Sequence, residues 1–435
     1  MCGSRGEGRM QAEGSERKQG GGMGAGQGVT RRRFLLGMLS ALGGAVLAGL
    51  RRIIGRAAPD GPADVVPRIY LPVIVRNYPP PEASRVVHVH DPDATSWNFS
   101  TGWYGDYVNQ SVVDRMVEEG LKTLTGTGSV QDAWRKLLPN YQPGQKIAIK
   151  VNFNNTTSCD DRDGQIDALI EPVNALIGSM VNVGIQEEDI WVFEASRRMP
   201  SRFYGRRRYT AARYIDYYQY GEGCADAEAT FDHVDESLRV SFAHPALSDR
   251  WLSDVLFQAT YLINMPIMKY HGIHPVTLGF KNHFGCLDNI IRQGDDSLHW
   301  YIAPSDGRYR PDYSPLVDIY INPNIAGKTV LIVGDGLFGS KAGTTQPPSP
   351  WNTFGGAPNS LFFSRDPVAV DCVMADFIRI EREGAGMEGA YDYLFCAQEA
   401  GLGTCEGSRD DPGGDPWQTP YGSGYSGIEY VRVEL

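Results

Sequence analysis

The sequence predicts an α/β fold: one large domain with a mostly parallel sheet and helices on both faces. Three observations lead there. Short segments rich in branched and aromatic residues recur along the chain, segments of helical periodicity separate them, and no internal repeat of fixed period is visible. The strands are expected at 86–90, 146–151, 190–194, 261–265 and 329–333, and the helices at 111–124, 130–138, 166–183, 201–214, 276–284 and 367–380. The clearest helix is 166–183. There Ile166, Leu169, Ile170, Val173, Leu176, Ile177 and Met180 return at three- and four-residue intervals and so share one face.

A chain of 435 residues with 42% hydrophobic content can bury a full core. The net charge of −11 conceals an asymmetry, because residues 1–58 carry ten Lys/Arg against three Asp/Glu, which leaves the remainder at −18. A body that acidic repels phosphate backbones, so no nucleic-acid partner is expected. Small ligands, metals or a basic partner fit better.

The N-terminal segment divides into a Gly/Ser/charged stretch, then Thr30-Arg31-Arg32-Arg33-Phe34-Leu35-Leu36, then an apolar run to Leu50. This order is that of an export signal, and the paired arginines before Phe-Leu-Leu make it the twin-arginine type. Its reader would be the twin-arginine (Tat) translocase, which carries folded substrates, and the location would be extracytoplasmic, either secreted or anchored at the membrane. Phe34 to Leu50 is at the short edge for spanning a hydrocarbon core of about 30 Å, so membrane contact is expected only through this segment. Residues 59–84 contain Tyr78-Pro79-Pro80-Pro81 and read as a stiff spacer; the domain is expected over 85–435.

Ligands of open α/β sheets bind beyond the carboxyl ends of the strands, where loops converge. Four predicted strands end on Lys150, Glu194, Lys269 and Asp335, which implies a shared polar pocket. Asn152 follows the first of these. The densest run is Lys269-Tyr-His271-Gly-Ile-His274-Pro-Val-Thr277-Leu-Gly-Phe-Lys281-Asn282. Pro275 can begin a helix, which would set His271 and His274 ahead of its N-terminus, beside Thr277 and with Lys281 one turn on. Such an arrangement suits an anion. His271 and His274 are also of the types that ligate a divalent metal, with a carboxylate to complete the set, although two neighbouring lysines would oppose a cation. Lys150 or Lys269 with a depressed pKa can serve as a base.

Other motifs carry less. Gly334-Asp335-Gly336 reads as a turn, without the spacing of a phosphate-binding or dinucleotide loop. Asp366 before Pro367 is placed as a helix N-cap, with Asp371 inside that helix. The arginines among residues 197–213 are expected to pair with the protein's own carboxylates. Cys396 and Cys405 are close enough in sequence to bridge in an oxidising exterior. No Cys-x-x-Cys occurs, so a self-ligated iron–sulfur cluster is not expected.

Five blocks in order carry a family resemblance. Lys146-Ile-Ala-Ile-Lys150-Val-Asn152, Asn264-Met-Pro266-Ile-Met-Lys269-Tyr-His271, Val276-Thr277-Leu-Gly-Phe-Lys281-Asn282-His-Phe-Gly285, Gly334-Asp335-Gly336 and Asp366-Pro367-Val-Ala-Val-Asp371 resemble the domain of unknown function 362 (DUF362) family. The resemblance spans roughly 85–385 and implies an α/β domain, often exported, whose activity is largely unassigned. It marks Lys150, Asn152, Lys269, His271, Thr277, Lys281, Asn282, Asp335, Asp366 and Asp371. Two departures stand out: Val151 replaces a usual proline, and the cysteines of the ferredoxin-like module found in some members are missing.

The functional expectation is an exported enzyme acting on a small anionic substrate. Lys150, Lys269, His271, Lys281 and Asp335 would do the chemistry, and Asn152, Glu194, His274, Thr277, Asn282 and Asp371 would bind. The alternative is an extracytoplasmic protein that binds a metal or anion at the same pocket without catalysis.

Overall fold

The computed structural model describes residues 84–154, 156–290, 294–418 and 424–435. The proposed signal at 1–58 and all but the last residue of the spacer lie outside them. The described residues form one compact unit.

Eleven strands form its sheet. They are β1 (Arg85–His90), β2 (Lys146–Lys150), β3 (Ile190–Glu194), β4 (Arg213–Asp216), β5 (Ala227–Glu228), β6 (Ala259–Asn264), β7 (Ile267–Tyr270), β8 (Val276–Thr277), β9 (Thr329–Ser340), β10 (Ser360–Ser364) and β11 (Glu429–Glu434). The order is β11-β1-β10-β9-β6-β2-β3-β4-β5, with β7 beside the far end of β9 and β8 paired to β7. From β9 through β6, β2, β3 and β4 to β5 every pairing is parallel; β10 runs antiparallel to both β1 and β9. The α/β expectation therefore holds.

Helices α1 (Gln110–Thr125), α2 (Val130–Leu137), α3 (Ile170–Val181), α4 (Gly279–Asn282), α5 (Pro367–Glu381) and α6 (Asp392–Glu399) matter most below. Successive strand residues feed two separate cores, as the alternation of side chains across a sheet requires. On β3, Ile190 and Val192 join the core that α1 and α3 cover, whereas Trp191 and Phe193 join the core under α5 and α6. No helix of the described residues is long and apolar enough to cross a membrane.

Three predicted helices are shorter than expected. A helix from 166 would place Pro172, which has no N–H, in its interior; the helix starts at Ile170, so Pro172 falls in the first turn, where no donor is needed. The predicted 201–214 helix stops at Tyr204 and the chain re-forms as strand β4, in keeping with the Tyr214-Ile215 pair. The third correction touches the site: Val276-Thr277 is a strand. Tyr270 pairs with Val276 and Lys269 with Thr277, and Gly272 turns the intervening loop at φ +96°. His271 and His274 thus sit in a hairpin loop rather than ahead of a helix N-terminus. Likewise β9 runs on to Ser340, so Gly334-Asp335-Gly336 lies within a strand rather than in a turn.

Candidate functional site

The site grows from the carboxyl ends of β2, β3 and β6, three adjacent parallel strands. Each ends on a polar residue that is buried: Lys150, Glu194 and Asn264. Lys150 Nζ lies 2.8 Å from Glu194 Oε2 and also donates to the Val151 carbonyl at 2.7 Å. Glu194 is held in turn by the N–H groups of Phe153 and Ser196 and by the Ser196 hydroxyl at 2.6 Å. A buried ion pair needs such added donors to offset its desolvation. Gly285 packs against this pair: a Cβ there would come within 2.7 Å of Glu194 Oε1 and 3.2 Å of Lys150 Nζ.

Asn282, at the end of α4, ties the strands together. Its carbonyl oxygen accepts from Asn152 Nδ2 at 3.0 Å and Lys150 Nζ at 3.3 Å, and its amide donates to Asn264 Oδ1 at 2.7 Å. Asn152 then passes the chain of bonds on, because its Oδ1 accepts from Lys269 Nζ at 2.7 Å. Lys269 is wholly buried, and that bond is its only one among the described residues. Burial lowers its pKa to about 8 against the opposing pull of Asp167 and Glu194, and Lys150 lowers it further.

Lys281 is less enclosed. Its Nζ stands 3.9 Å from the centre of the Phe284 ring, with no hydrogen-bond acceptor among the described residues. Burial, then the charges of Lys269 and Arg197, bring its pKa down to about 7. Beside it, His271 and His274 pack with ring centroids 4.0 Å apart, and His274 stacks on His299 at 5.4 Å. Burial and then the charge of Lys281 keep all three neutral, lowering His271 to about 2 and His299 to about 3. Among the described residues, His271 Nδ1, His274 Nε2 and the hydroxyls of Thr277 and Thr344 are buried without a hydrogen-bond partner. A cavity of about 30 Å³ borders His274, Lys281 and Tyr393.

The structure therefore brings together Lys150, Asn152, Glu194, Lys269, Asn282, His271, His274, Thr277 and Lys281. It sets two predicted residues apart. Asp335 faces the start of α3, where it accepts from the Leu337 N–H at 3.0 Å; burial raises its pKa to about 7 and the charge it feels is that of Glu171. Asp371 accepts from the backbone N–H groups of Gly279 and Phe280 at 2.7 and 3.0 Å and from the Tyr393 hydroxyl. It shapes the turn that carries Lys281 and Asn282. Asp366 caps α5 through the N–H groups of Val368 and Ala369, as expected.

Sequence reading passed over several contributors. Asn264 obeys the same strand-end rule as Lys150 and was within reach of it. Asp167, which binds Arg202 at 2.7 Å and faces Lys269, has no linear signal because it belongs to an extended lead-in to α3. The arginine cluster does pair internally, Arg202 with Asp161 and Asp167, Arg206 with Asp106 and Glu171, Arg208 with Asp114. Arg197, Arg198 and Arg213 have no carboxylate partner among the described residues: Arg197 donates to the carbonyls of Asn154 and Ser196, Arg198 to those of Thr157 and Glu222, and Arg213 lies over the Trp191 ring. The expected bridge of Cys396 and Cys405 is not formed. Cys159 is bonded to Cys224, 65 positions away, while Cys405 Sγ lies 3.6 Å from Cys372 Sγ and Cys396 faces the Pro311 carbonyl.

The fold and this arrangement define an α/β protein with a buried, lysine-rich site at the carboxyl edge of its parallel strands. Residues 147–376 match the domain of unknown function DUF362, over half of the chain, and the chain belongs to that family. The matched span begins at β2, well inside the range the motif blocks implied. No curated protein resembles the chain closely enough to match it.

Proposed function

We propose that this chain is an exported enzyme acting on a small anionic substrate held between Lys269 and Lys281. The observation that carries the reading is that these two amines share a buried site in which no carboxylate lies within ion-pair distance of either, among the described residues. Desolvation brings their pKa values down to about 8 and about 7, so near neutral pH Lys281 is only partly protonated, and an anion would favour the charged forms of both. Binding would therefore load a proton on Lys281, which can return it to the substrate as a general acid or, in its neutral form, withdraw one. The buried Lys150–Glu194 pair and Asn282 act as positioning groups that fix Asn152 and through it Lys269.

A metal held by His271 and His274 is the less favoured ligand, because Lys281 faces both rings and Lys269 faces His271, and both repel a cation. Export by the twin-arginine route rests on residues 30–50, and the Cys159–Cys224 bond supports an oxidising destination.

Competitive labelling with acetic anhydride across pH 5–10, mapped by peptide mass spectrometry, tests the catalytic reading. Lys281 is expected to titrate near 7. If Lys281 titrates instead near the ordinary lysine value of about 10.4, the site holds fixed cations and the chain is a binding protein.

A further inference from the structure

The cation count of the site sets the charge of what it binds. Lys150, Lys269, Lys281, Arg197 and Arg202 converge on it, against the carboxylates of Glu194, Asp167 and Asp161. With both lysines protonated, as a bound anion would make them, five cations meet three anions and the histidines in the site are neutral, so two positive charges are uncompensated. They are also localised. Glu194 belongs to Lys150, and Asp161 and Asp167 to Arg202. The remaining cations are Lys269, Lys281 and Arg197; Arg197 and Lys281 stand near enough to depress each other's neighbour His299, and Lys269 adds its charge at Lys281. A monoanion would leave this group under-neutralised in a region from which water is largely excluded.

The neutral groups agree with the charges. Thr277 pairs in register with Lys269 across the β7–β8 hairpin, and its hydroxyl is buried with no partner among the described residues. Thr344, whose N–H donates to the His271 carbonyl at 3.4 Å, has an unpartnered buried hydroxyl as well. With His271 Nδ1 these make several unfilled hydrogen-bonding positions beside the cations, more than one carboxylate would occupy.

We infer that the ligand carries a doubly charged oxyanion group, bound by Lys269, Lys281 and Arg197 with Thr277 and Thr344 as neutral donors. A phosphoryl group and a pair of adjacent carboxylates share this chemistry. The inference rests on the anionic-substrate reading and narrows it.

Thermal shift and calorimetric titrations of the full chain at constant ionic strength, with phosphate, sulfate, malonate and acetate, separate the cases. The dianions are expected to half-saturate at a concentration at least about tenfold lower than acetate. Arg197→Gln should bring dianions and acetate to within about threefold of each other, while Arg197→Lys, which keeps the charge, should keep the preference. A response to phosphate and sulfate without malonate assigns a tetrahedral group, and the reverse a dicarboxylate. Acetate binding as well as sulfate would overturn the dianion and leave the anion reading intact. No saturable response to any anion would overturn both. Should Arg197→Gln fail to fold, loss of the dianion preference in a folded Arg197→Lys overturns the role of charge at this position.

Discussion

Lys269 Nζ and Asn152 Oδ1 are joined at 2.7 Å, and this neutral acceptor is the only hydrogen-bond partner of a wholly buried amine among the described residues. A lysine so placed costs the fold stability whenever it is charged. Its pKa of about 8 in the folded chain, against the ordinary value in the unfolded one, means that the unfolded state binds more protons between those values. The penalty is fully present below pH 8, on the order of 3 kcal/mol, and fades as pH rises toward about 10.4. Lys269→Met is expected to flatten that rise and to match or exceed the parent's stability at pH 7, while weakening anion binding. Denaturant unfolding at pH 7, 8.5 and 10 checks it; a variant less stable at pH 7 would show that the amine is structurally paired.

Asp335 has the opposite dependence. Burial raises its pKa to about 7, so between about pH 4 and 7 the folded chain holds the extra proton and stability falls as pH rises. Asp335→Asn keeps an acceptor for the Leu337 N–H and removes the buried charge. It should raise stability at pH 8 by on the order of a few kcal/mol and leave anion binding unchanged. A fall in anion affinity would return Asp335 to the site.

Asp371 is expected to act through the backbone it holds. Asp371→Ala strands two buried N–H donors, of Gly279 and Phe280, and should cost about 2–3 kcal/mol by denaturant unfolding. It should also move Lys281, seen as a change in its labelling rate. Asp371→Asn, which keeps one acceptor, should retain most of both. Equal loss in the two variants would point to a need for the charge itself.

The disulfide gives a prediction independent of the site. Cys159–Cys224 closes a segment of 65 positions, so reduction should destabilise the chain by about 4 kcal/mol in the chain-entropy account. Peptide mapping without reduction should recover the Cys159–Cys224 pair and unlinked Cys396 and Cys405. A Cys396–Cys405 peptide would contradict the arrangement described here.

Much of this was legible in the sequence, for definite reasons. Branched runs such as Ile147-Ala-Ile149 mark buried parallel strands, and a polar residue ending such a run marks the ligand edge; that rule found Lys150 and Glu194 and extends to Asn264. It misplaced Asp335 because Gly334 and Gly336 read as a turn, whereas here they allow strand β9 to pass close under Met374 and Phe362. The helix predicted at 276–284 failed because one proline suggested an N-terminus and the β-branched Val276-Thr277 pair, competing for a hairpin, was given less weight. Pairings across the sheet, such as Asp167 with Arg202 or Cys159 with Cys224, depend on tertiary approach and leave no local pattern.

The claim on which the account turns is that an anion binds to amines that desolvation has left half-charged. Sulfate does not itself titrate near neutrality, so its binding at pH 8, measured by calorimetry in buffers of different ionisation enthalpy, reports protons taken up by the protein. The account predicts net proton uptake, abolished in Lys269→Met/Lys281→Met together with the binding. Sulfate binding with no proton uptake, or binding that survives in the double variant, would contradict it.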